Sequence, residues 1–473
     1  MRNLILPLSS LSFALIAIAG CIFSDNYVQW LECAAAGYAV VWILGGRRAH
    51  IVLLWICGII WLEIAADVLY ADTKAEDLSE IWFSQSRIDA ILFSLAALVA
   101  IAAGMRCALW LGRRAFRNGR RLEHEAGDSM SFRFQALLPC YVGSWVLMGP
   151  LSIVGNSVTG LQQIVYTFGY LRYALLYLIA SYIFERNRGF QWLIVIGGFE
   201  IAMGLVSYFS SFKEPVFIIL LAFASSRRQI KAGALLVSIA AVVAVLWLSL
   251  VWSLIKSDFR EGFYSRTFGQ NVEWLTDRIF YEPIDYSLAM ERLVARVGYT
   301  YFFSQIIARS EAGAVPQLGL YRAAVEHVLK PRLLFPNKAS LDDSVITTAL
   351  TGARISEGTS VGVGFVAEAY ADFGFPQMLI PMFFIGLMLG WMLMYFLTRP
   401  IPAALGAAAG TATLFTQFAL AENIDKALGG SLIAFIGMAL ILKFGYPLIG
   451  RALLARRPST PAYLMARSGS LPT

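Results

Sequence analysis

Two arginines in the second half of the chain, Arg292 and Arg296, have a spacing that suits an anion-binding site. Residues four apart lie on the same face of a helix, where two guanidinium groups can converge on one phosphate or pyrophosphate. Ion pairing with Glu291 or Glu282, or a solvated helix face, would explain the same arginines. The pattern predicts a phosphate site and leaves these structural roles open.

A second candidate is the acidic pair Glu368 and Asp372 in the segment GTSVGVGFVAEAYADFGFP. The two acids are also four residues apart, close to where the chain turns strongly apolar. A carboxylate at a membrane border is costly unless it is paired or used in function. Lys213 and Glu214 form a comparable charged pair between two apolar runs, although a water-exposed hairpin tip would account for them equally well.

Histidine and cysteine offer little further chemistry. His327 is the one histidine in the long polar region, where it could act as a base or simply pack within a loop. The five cysteines lie in or beside apolar runs without paired spacing, and neither a GxxxxGK[ST] loop nor an HExxH motif is present. The adjacent acids Asp342 and Asp343 are typical of a turn or helix cap. The sequence predicts no metal site and no cofactor.

Membrane-spanning helices are the elements that must position these residues. The chain of 473 residues is 58% hydrophobic and 15% charged, whereas soluble domains are about 45–50% apolar and about 25% charged. Apolar runs of about 20 residues, enough to cross ~30 Å of hydrocarbon, begin at about twelve places. The predicted starts are Leu4, Tyr27, Ile51, Ile88, Phe134, Ile164, Phe190, Pro215, Ala232, Phe375, Pro402 and Gly429. We expect an all-α polytopic membrane protein with about 12 transmembrane helices, the first of them retained.

Basic residues alternate along the chain in a way that predicts its orientation. Every second connection is rich in them: Arg47–Arg48, Arg113–Arg121, Arg186–Arg188, Arg227–Lys231, Arg399 and Arg451–Arg457. Because such connections stay on the cytoplasmic side, both termini are predicted to be cytoplasmic, in a bacterial inner membrane. The net charge of +7 is thus explained by orientation signals and does not indicate nucleic-acid binding.

The predicted organisation follows from these spans. Spans 1–9 occupy residues 1–255, and spans 10–12 occupy residues 373–450. Between spans 9 and 10 lies the one sizeable polar region, residues 256–372, which we expect to form a large periplasmic loop folded as a cap. Residues 451–473 are predicted to be a cytoplasmic tail.

Three passages of the chain resemble the Wzy-type O-antigen and exopolysaccharide repeat-unit polymerases. They are VLKPRLLFPNKASLDDS (328–344), GVGFVAEAYADFGFP (362–376) and SYFSSFKEPVFIILLAF (207–223). In that family a Pro-Arg…Pro-x-Lys passage precedes a Gly-rich run and a Glu-x-Tyr-x-x-Phe-Gly sequence, and a lysine tops an earlier helix pair. The matching positions are Pro331, Arg332, Pro336, Lys338, Glu368, Tyr370, Phe373, Gly374 and Lys213. The topology, with a large loop late in the chain, resembles the family over the whole sequence.

The resemblance implies metal-independent glycosyl transfer on the periplasmic face. A polyprenyl-pyrophosphate-linked glycan would be transferred to a sugar hydroxyl of another lipid-linked repeat unit, with fixed cations stabilising the leaving group. The implied substrate-binding residues are Arg292, Arg296, Arg332, Lys338, Lys213 and Tyr370. Glu368 or His327 would accept the proton of the attacking hydroxyl. Expected partners are the lipid-linked glycans, the bilayer, and a chain-length regulator and flippase of the same pathway.

Three alternatives remain open. O-antigen ligases use similar outer-loop arginines and a histidine, and His327 lies four residues before Pro331. A transporter or flippase of lipid-linked oligosaccharides would need more polar residues within its spans than Glu63, Asp67 and Glu200. A non-catalytic partner of a polysaccharide assembly machine would need neither the cations nor Glu368.

Overall fold

Helices make up most of the structure, which is a computed structural model. The residues that it describes are 2–45, 51–78, 84–115, 132–157, 161–207, 212–226, 232–330, 335, 338, 342–356, 361–419 and 422–454. Over these ranges the chain forms no β-sheet, and the bridge between Phe132 and Leu454 is isolated. The all-α class predicted from the sequence is confirmed.

A helix begins at or near each of the predicted span starts, and shorter helices lie between the ninth and the tenth of them. The helices are α1 (Arg2–Phe23), α2 (Tyr27–Leu44), α3 (Ile51–Thr73), α4 (Ser84–Ala115), α5 (Phe134–Ser157), α6 (Leu161–Arg186), α7 (Phe190–Val206), α8 (Lys213–Ser225), α9 (Ala232–Glu261), α10 (Phe268–Phe280), α11 (Tyr286–Val297), α12 (Thr300–Glu311), α13 (Leu320–Val328), α14 (Asp343–Thr351), α15 (Phe365–Phe373), α16 (Leu379–Thr398), α17 (Ala403–Leu414), α18 (Ile424–Leu440) and α19 (Tyr446–Leu453). A π-helical turn at Ile441–Gly445 joins α18 to α19.

Eight of the described helices are long and apolar enough to cross a membrane: α2 to α6, α9, α16 and α18 with its extension. At two other predicted spans the apolar helices are shorter, namely Phe190–Val206 and Ala403–Leu414. Helix α1 has 22 residues, and Leu11–Phe23 is its apolar part among the fully described residues. Helix α8 has 13 residues, about 20 Å at 1.5 Å per residue, which is less than the ~30 Å of hydrocarbon. The helical membrane class is therefore confirmed, whereas the count of twelve spans stays a prediction.

Four of the predicted orientation signals lie wholly or partly outside the described residues. They are Arg47–Arg48, the arginine-rich connection after α4 at residues 116–131, Arg227–Lys231 and the tail beyond residue 454. The cytoplasmic placement of the termini and the division of the chain at residues 255, 372 and 450 also stay predictions.

Glycines bring α4 and α16 into close contact. A Cβ atom added at Gly104 would lie 2.0 Å from the carbonyl oxygen of Phe383, and one added at Gly386 would lie 2.0 Å from that of Ile101. Any larger residue would force the two backbones apart, as expected where small residues mediate packing between membrane helices. This helix pair belongs to the large apolar core shared by most of the bundle.

The predicted periplasmic loop is mostly helical where the structure describes it. Helix α9 extends to Glu261, and α10 to α15 follow before α16 begins. We call residues 262–373 the cap. Side chains of the cap such as Phe303, Ile306 and Leu320 belong to the same buried core as the long helices. The cap therefore packs directly on the bundle.

Asp67, one of the acids within the predicted spans, ties α3 to the cap. Its side chain is 5% exposed, and Oδ2 accepts hydrogen bonds from the backbone N–H groups of Tyr299 (2.8 Å) and Thr300 (2.6 Å). A carboxylate at a helix N-terminus satisfies N–H groups that lack a helical partner and interacts favourably with the helix dipole. Glu200 of α7 also has a partner, because its Oε1 lies 3.6 Å from Nε of Arg172. These two buried acids thus have structural partners.

Candidate functional site

Four cations from three helices form a positively charged cluster. Lys213 is the first residue of α8, Lys256 and Arg260 lie one turn apart on α9, and Arg296 lies in the last turn of α11. Arg296 is close enough to Lys213 to act on it electrostatically, and Lys256 is affected by the other three. We call these four residues the cation cluster.

The cation cluster concentrates positive charge at one place. Partial burial, and then the charge of Arg260, lower the pKa of Arg296. Within the described part of the chain, Lys213, Lys256 and Arg296 make no ion pair with a carboxylate. The N-terminus of α8 adds partial positive charge beside Lys213. Such an arrangement can bind a multiply charged anion.

The hydrogen bond from Ser253 Oγ to the carbonyl oxygen of Ala289, at 3.0 Å, fixes α9 against α11 next to the cluster. Both helices are amphipathic at this point. On α9, Val251, Trp252 and Ile255 are buried while Arg260 is half-buried, and on α11, Val294 is buried while Arg296 is exposed. The cluster is thus a product of helix packing and not of one local motif.

Lys213 also lines an apolar cleft of about 280 Å³. Its lining residues come from α3, α8 and the turn after α17: Trp55, Ile56, Ile59, Lys213, Glu214, Phe217, Phe415, Thr416, Gln417 and Ala419. The indole N–H of Trp55 donates to the carbonyl oxygen of Phe415 at 3.0 Å, and the rings of Trp55 and Phe217 lie 4.7 Å apart. A cleft with mostly apolar walls and a few polar lining groups suits an amphiphilic ligand.

Glu214 is held in the cleft by a chain of polar contacts. The hydroxyl of Tyr173 donates to Glu214 Oε2, and Arg172 Nη2 donates to the Tyr173 hydroxyl at 2.9 Å. The guanidinium of Arg172 lies over the ring of Trp145, at 4.3 Å, and Nε is 3.6 Å from Glu200 Oε1. The carboxylate of Glu214 is therefore oriented by residues of α6, α5 and α7.

Glu368, one of the two bases predicted from the sequence, lies in α15 and caps the N-terminus of α18. Its side chain is 1% exposed, and Oε2 accepts a hydrogen bond of 2.7 Å from the backbone N–H of Ile424 at the start of α18. Burial raises the pKa of Glu368 to about 8, and the negative charges of Asp425, Asp372 and Asp343 add to that rise. This geometry gives Glu368 a part in holding α18 and α15 together.

The other acids near Glu368 have similar partners. Asp372 Oδ2 accepts a hydrogen bond of 2.8 Å from the backbone N–H of Tyr321 in the first turn of α13. Asp343 pairs with Lys426 and accepts a hydrogen bond of 3.1 Å from Asn423 Nδ2. Each of these acids therefore joins two elements of the cap and bundle.

His327 and Lys338 come together at the end of α13. Lys338 Nζ donates to the backbone carbonyl oxygens of His327 and, at 2.9 Å, of Lys330, so its donors hold the chain around α13. His327 acts electrostatically on Asp425, which places its ring near the N-terminus of α18. Arg332, which the sequence places between them, lies outside the described residues.

Arg292 and Tyr370 lie apart from the cation cluster. Arg292 is exposed on α11, one helical turn before Arg296, and the predicted helical spacing of the two arginines is confirmed. The half-buried ring of Tyr370 packs against Phe93 and Phe303, with centroids 5.8 and 5.5 Å apart. Of the predicted substrate-binding residues, the structure thus brings together Lys213 and Arg296.

Sequence reasoning missed three residues of this region. Lys256 and Arg260 have the same four-residue spacing as Arg292 and Arg296, at the end of an apolar run, and this signal could have found them. Glu422 lies in the turn before α18, where burial raises its pKa to about 7, partly offset by Lys426. No local pattern indicates that environment. Among the described residues, no three or more His, Cys, Asp or Glu side chains are grouped as metal ligands.

Comparison of the chain with models of known protein families, with curated proteins and with solved structures gives no match. The fold and site define a helical membrane protein with a cation cluster beside an apolar cleft.

Proposed function

We propose that the protein is a membrane glycosyltransferase that joins polyprenyl-pyrophosphate-linked repeat units into O-antigen or exopolysaccharide. The observation that carries the proposal is that Lys213 belongs both to the cation cluster and to the lining of the apolar cleft. A lipid-linked pyrophosphate combines the two properties that this site matches, a hydrocarbon chain and a dense negative charge.

The cation cluster suits the leaving group of such a transfer. When the bond between the sugar and the pyrophosphate breaks, negative charge grows on the bridging oxygen, and fixed cations lower the barrier by stabilising it. We propose Lys213 and Arg296 for this role, supported by the nearby charges of Lys256 and Arg260. The proposed reaction is metal-independent, because these side chains would supply the positive charge. Arg292, Arg332, Lys338 and Tyr370 remain proposed contacts to the rest of the substrate.

The test is a polymerisation assay with purified protein in lipid nanodiscs and polyprenyl-pyrophosphate-linked repeat units. We expect a ladder of glycans longer than one repeat unit, and we expect EDTA to leave the ladder unchanged. Transfer of single units to a different acceptor without a ladder would favour the ligase alternative. Movement of labelled substrate across vesicles without any transfer would favour a flippase, and inertness in both assays would favour a non-catalytic partner.

The proposed reaction takes place on the periplasmic side of a bacterial inner membrane, with twelve spans and both termini in the cytoplasm. Cysteine labelling checks this orientation, in a background whose five native cysteines are replaced by serine. We expect Arg322→Cys, at an exposed position in the cap, to react with a membrane-impermeant maleimide in intact cells. Arg117→Cys should react only after the membrane is opened. Labelling in the reverse order would contradict the proposed topology.

A chain-length regulator and a flippase are the proposed partners in the same pathway.

A further inference from the structure

We propose that Glu214 is the proton acceptor for the attacking sugar hydroxyl, and that Tyr173, Arg172 and Glu200 position it. This inference rests on the proposed function. It assigns the catalytic proton transfer to a residue of the cleft and not to Glu368 or His327 of the cap.

Glu214 places a carboxylate in the cleft, directly beside the cation cluster. It follows Lys213 directly in α8, and both side chains line the cleft. Of the described residues that line the cleft, Glu214 is the one with a carboxylate. A donor whose pyrophosphate is bound by Lys213 would have its anomeric carbon one bond beyond that pyrophosphate, so an acceptor hydroxyl approaching that carbon would come close to Glu214, the next residue of α8.

The orientation of Glu214 is fixed by a hydrogen bond to one of its two carboxylate oxygens. Tyr173 occupies Oε2, and no described residue donates a hydrogen bond to Oε1. Tyr173 is in turn held by Arg172, whose guanidinium stacks over Trp145 and lies near Glu200. A base that is oriented by a second group, which is itself oriented by a third, is the usual arrangement in acid–base catalysis. Glu214 therefore has one oxygen anchored and one available.

The two bases predicted from the sequence, Glu368 and His327, do not line the cleft. Glu368 is 1% exposed, and its anchored oxygen caps α18. His327 lies at the end of α13 beside Lys338 and is not among the lining residues of the cleft. Neither Glu368 nor His327 is among the described residues that line the cleft with Lys213.

In the proposed step the glycan is transferred from the pyrophosphate of the donor to the acceptor hydroxyl. The acceptor hydroxyl oxygen forms a bond to the anomeric carbon of the donor, and the bond from that carbon to the pyrophosphate oxygen breaks. The bonding electron pair leaves with the pyrophosphate, whose charge the cation cluster stabilises. The hydroxyl proton moves to Oε1 of Glu214 and is later released to water.

The test compares Glu214→Gln with Lys213→Ala and wild type in nanodiscs, measuring the rate of ladder formation and the binding of a short polyprenyl pyrophosphate. Glutamine keeps the shape and the acceptor for Tyr173 but is a very poor base. We expect a loss in ladder rate of roughly 10²-fold or more, with binding changed by less than about threefold. Lys213→Ala should lose binding. The control Glu326→Gln, at an exposed position of the cap, should match wild type in both measurements.

Two further variants separate catalysis from folding. Glu214→Asp retains a carboxylate and should keep more activity than Glu214→Gln, which a purely structural loss would not explain. Tyr173→Phe removes the positioning hydroxyl, and we expect it to shift the pH profile of ladder formation. The groups facing Glu214 that set this profile are Tyr173, Arg172 and Glu200 together with Lys213.

Wild-type ladders from Glu214→Gln would overturn the inference alone, and so would a loss of donor binding as large as that of Lys213→Ala. A wild-type protein that forms no ladder would overturn the proposed function and this inference with it.

Discussion

Replacing both Lys213 and Arg296 with alanine is expected to reduce the binding of polyprenyl pyrophosphate and the rate of polymer formation by at least about 10²-fold. Hydrogen bonds to charged groups contribute about 1.5–3 kcal/mol each, and about 1.4 kcal/mol corresponds to a factor of ten. Each single variant should therefore lose roughly 10-fold to 100-fold. Binding is measured in nanodiscs at two salt concentrations, because the wild-type affinity should fall more steeply with salt than that of the double variant.

Neighbouring residues provide matched controls for this prediction. Arg322→Ala removes an exposed cation of the cap that pairs with Glu326, and it should leave binding unchanged. Arg292→Ala, one turn from Arg296, tests whether the two arginines act together as their spacing suggests; we expect the smaller loss at Arg292, because it is not part of the cation cluster. Arg296→Lys should rescue poorly if the guanidinium makes two hydrogen bonds. Unchanged binding in the double variant would remove the cation cluster from the proposed site.

The second large effect concerns the dependence of stability on pH. The folded protein holds a proton on Glu368 up to a pKa of about 8, whereas the ordinary value is 4.5. Between these two values the folded state binds a proton that the unfolded state has released, so stability falls as pH rises. We expect the thermal midpoint of the purified protein to decrease from about pH 5 to about pH 8.

Glu368→Gln should flatten this decrease, because the amide cannot ionise and its oxygen can still accept from Ile424. Glu368→Ala removes that acceptor and should destabilise the protein at all pH values, typically by about 1 kcal/mol. Glu422→Gln is the matched control: with a pKa of about 7, Glu422 contributes in the same direction over a narrower range. A Glu368→Gln variant with the full wild-type slope would show that Glu368 does not titrate in this window.

The same preparation decides between the two roles of Glu368. If Glu368 acts only as a helix cap, the Glu368→Gln variant should still form glycan ladders at neutral pH. A folded Glu368→Gln variant without ladders would instead support the proton-accepting role that the sequence resemblance implies, and would favour Glu368 over Glu214.

The long apolar runs determined the helical membrane class, because roughly 20 consecutive apolar residues are stable in hydrocarbon only as a helix whose backbone is internally hydrogen-bonded. Their starts were predictable to within a few residues, since turns and charged residues mark where each run ends. Spacing within one helix was also predictable: Arg292 and Arg296 do lie on one helix. These are local properties, set by residues close together in the chain.

Contacts between distant parts of the chain were decided only by the tertiary structure. Asp67 caps a helix 232 residues further along, and Glu368 caps one 56 residues away. A carboxylate near a membrane border reads the same in sequence whether it caps a helix or accepts a proton, so the buried position of Glu368 could not be foreseen. The cation cluster likewise exists because α8, α9 and α11 pack together, and the electrostatic interaction of charges depends on their distance in space, not on their separation along the chain.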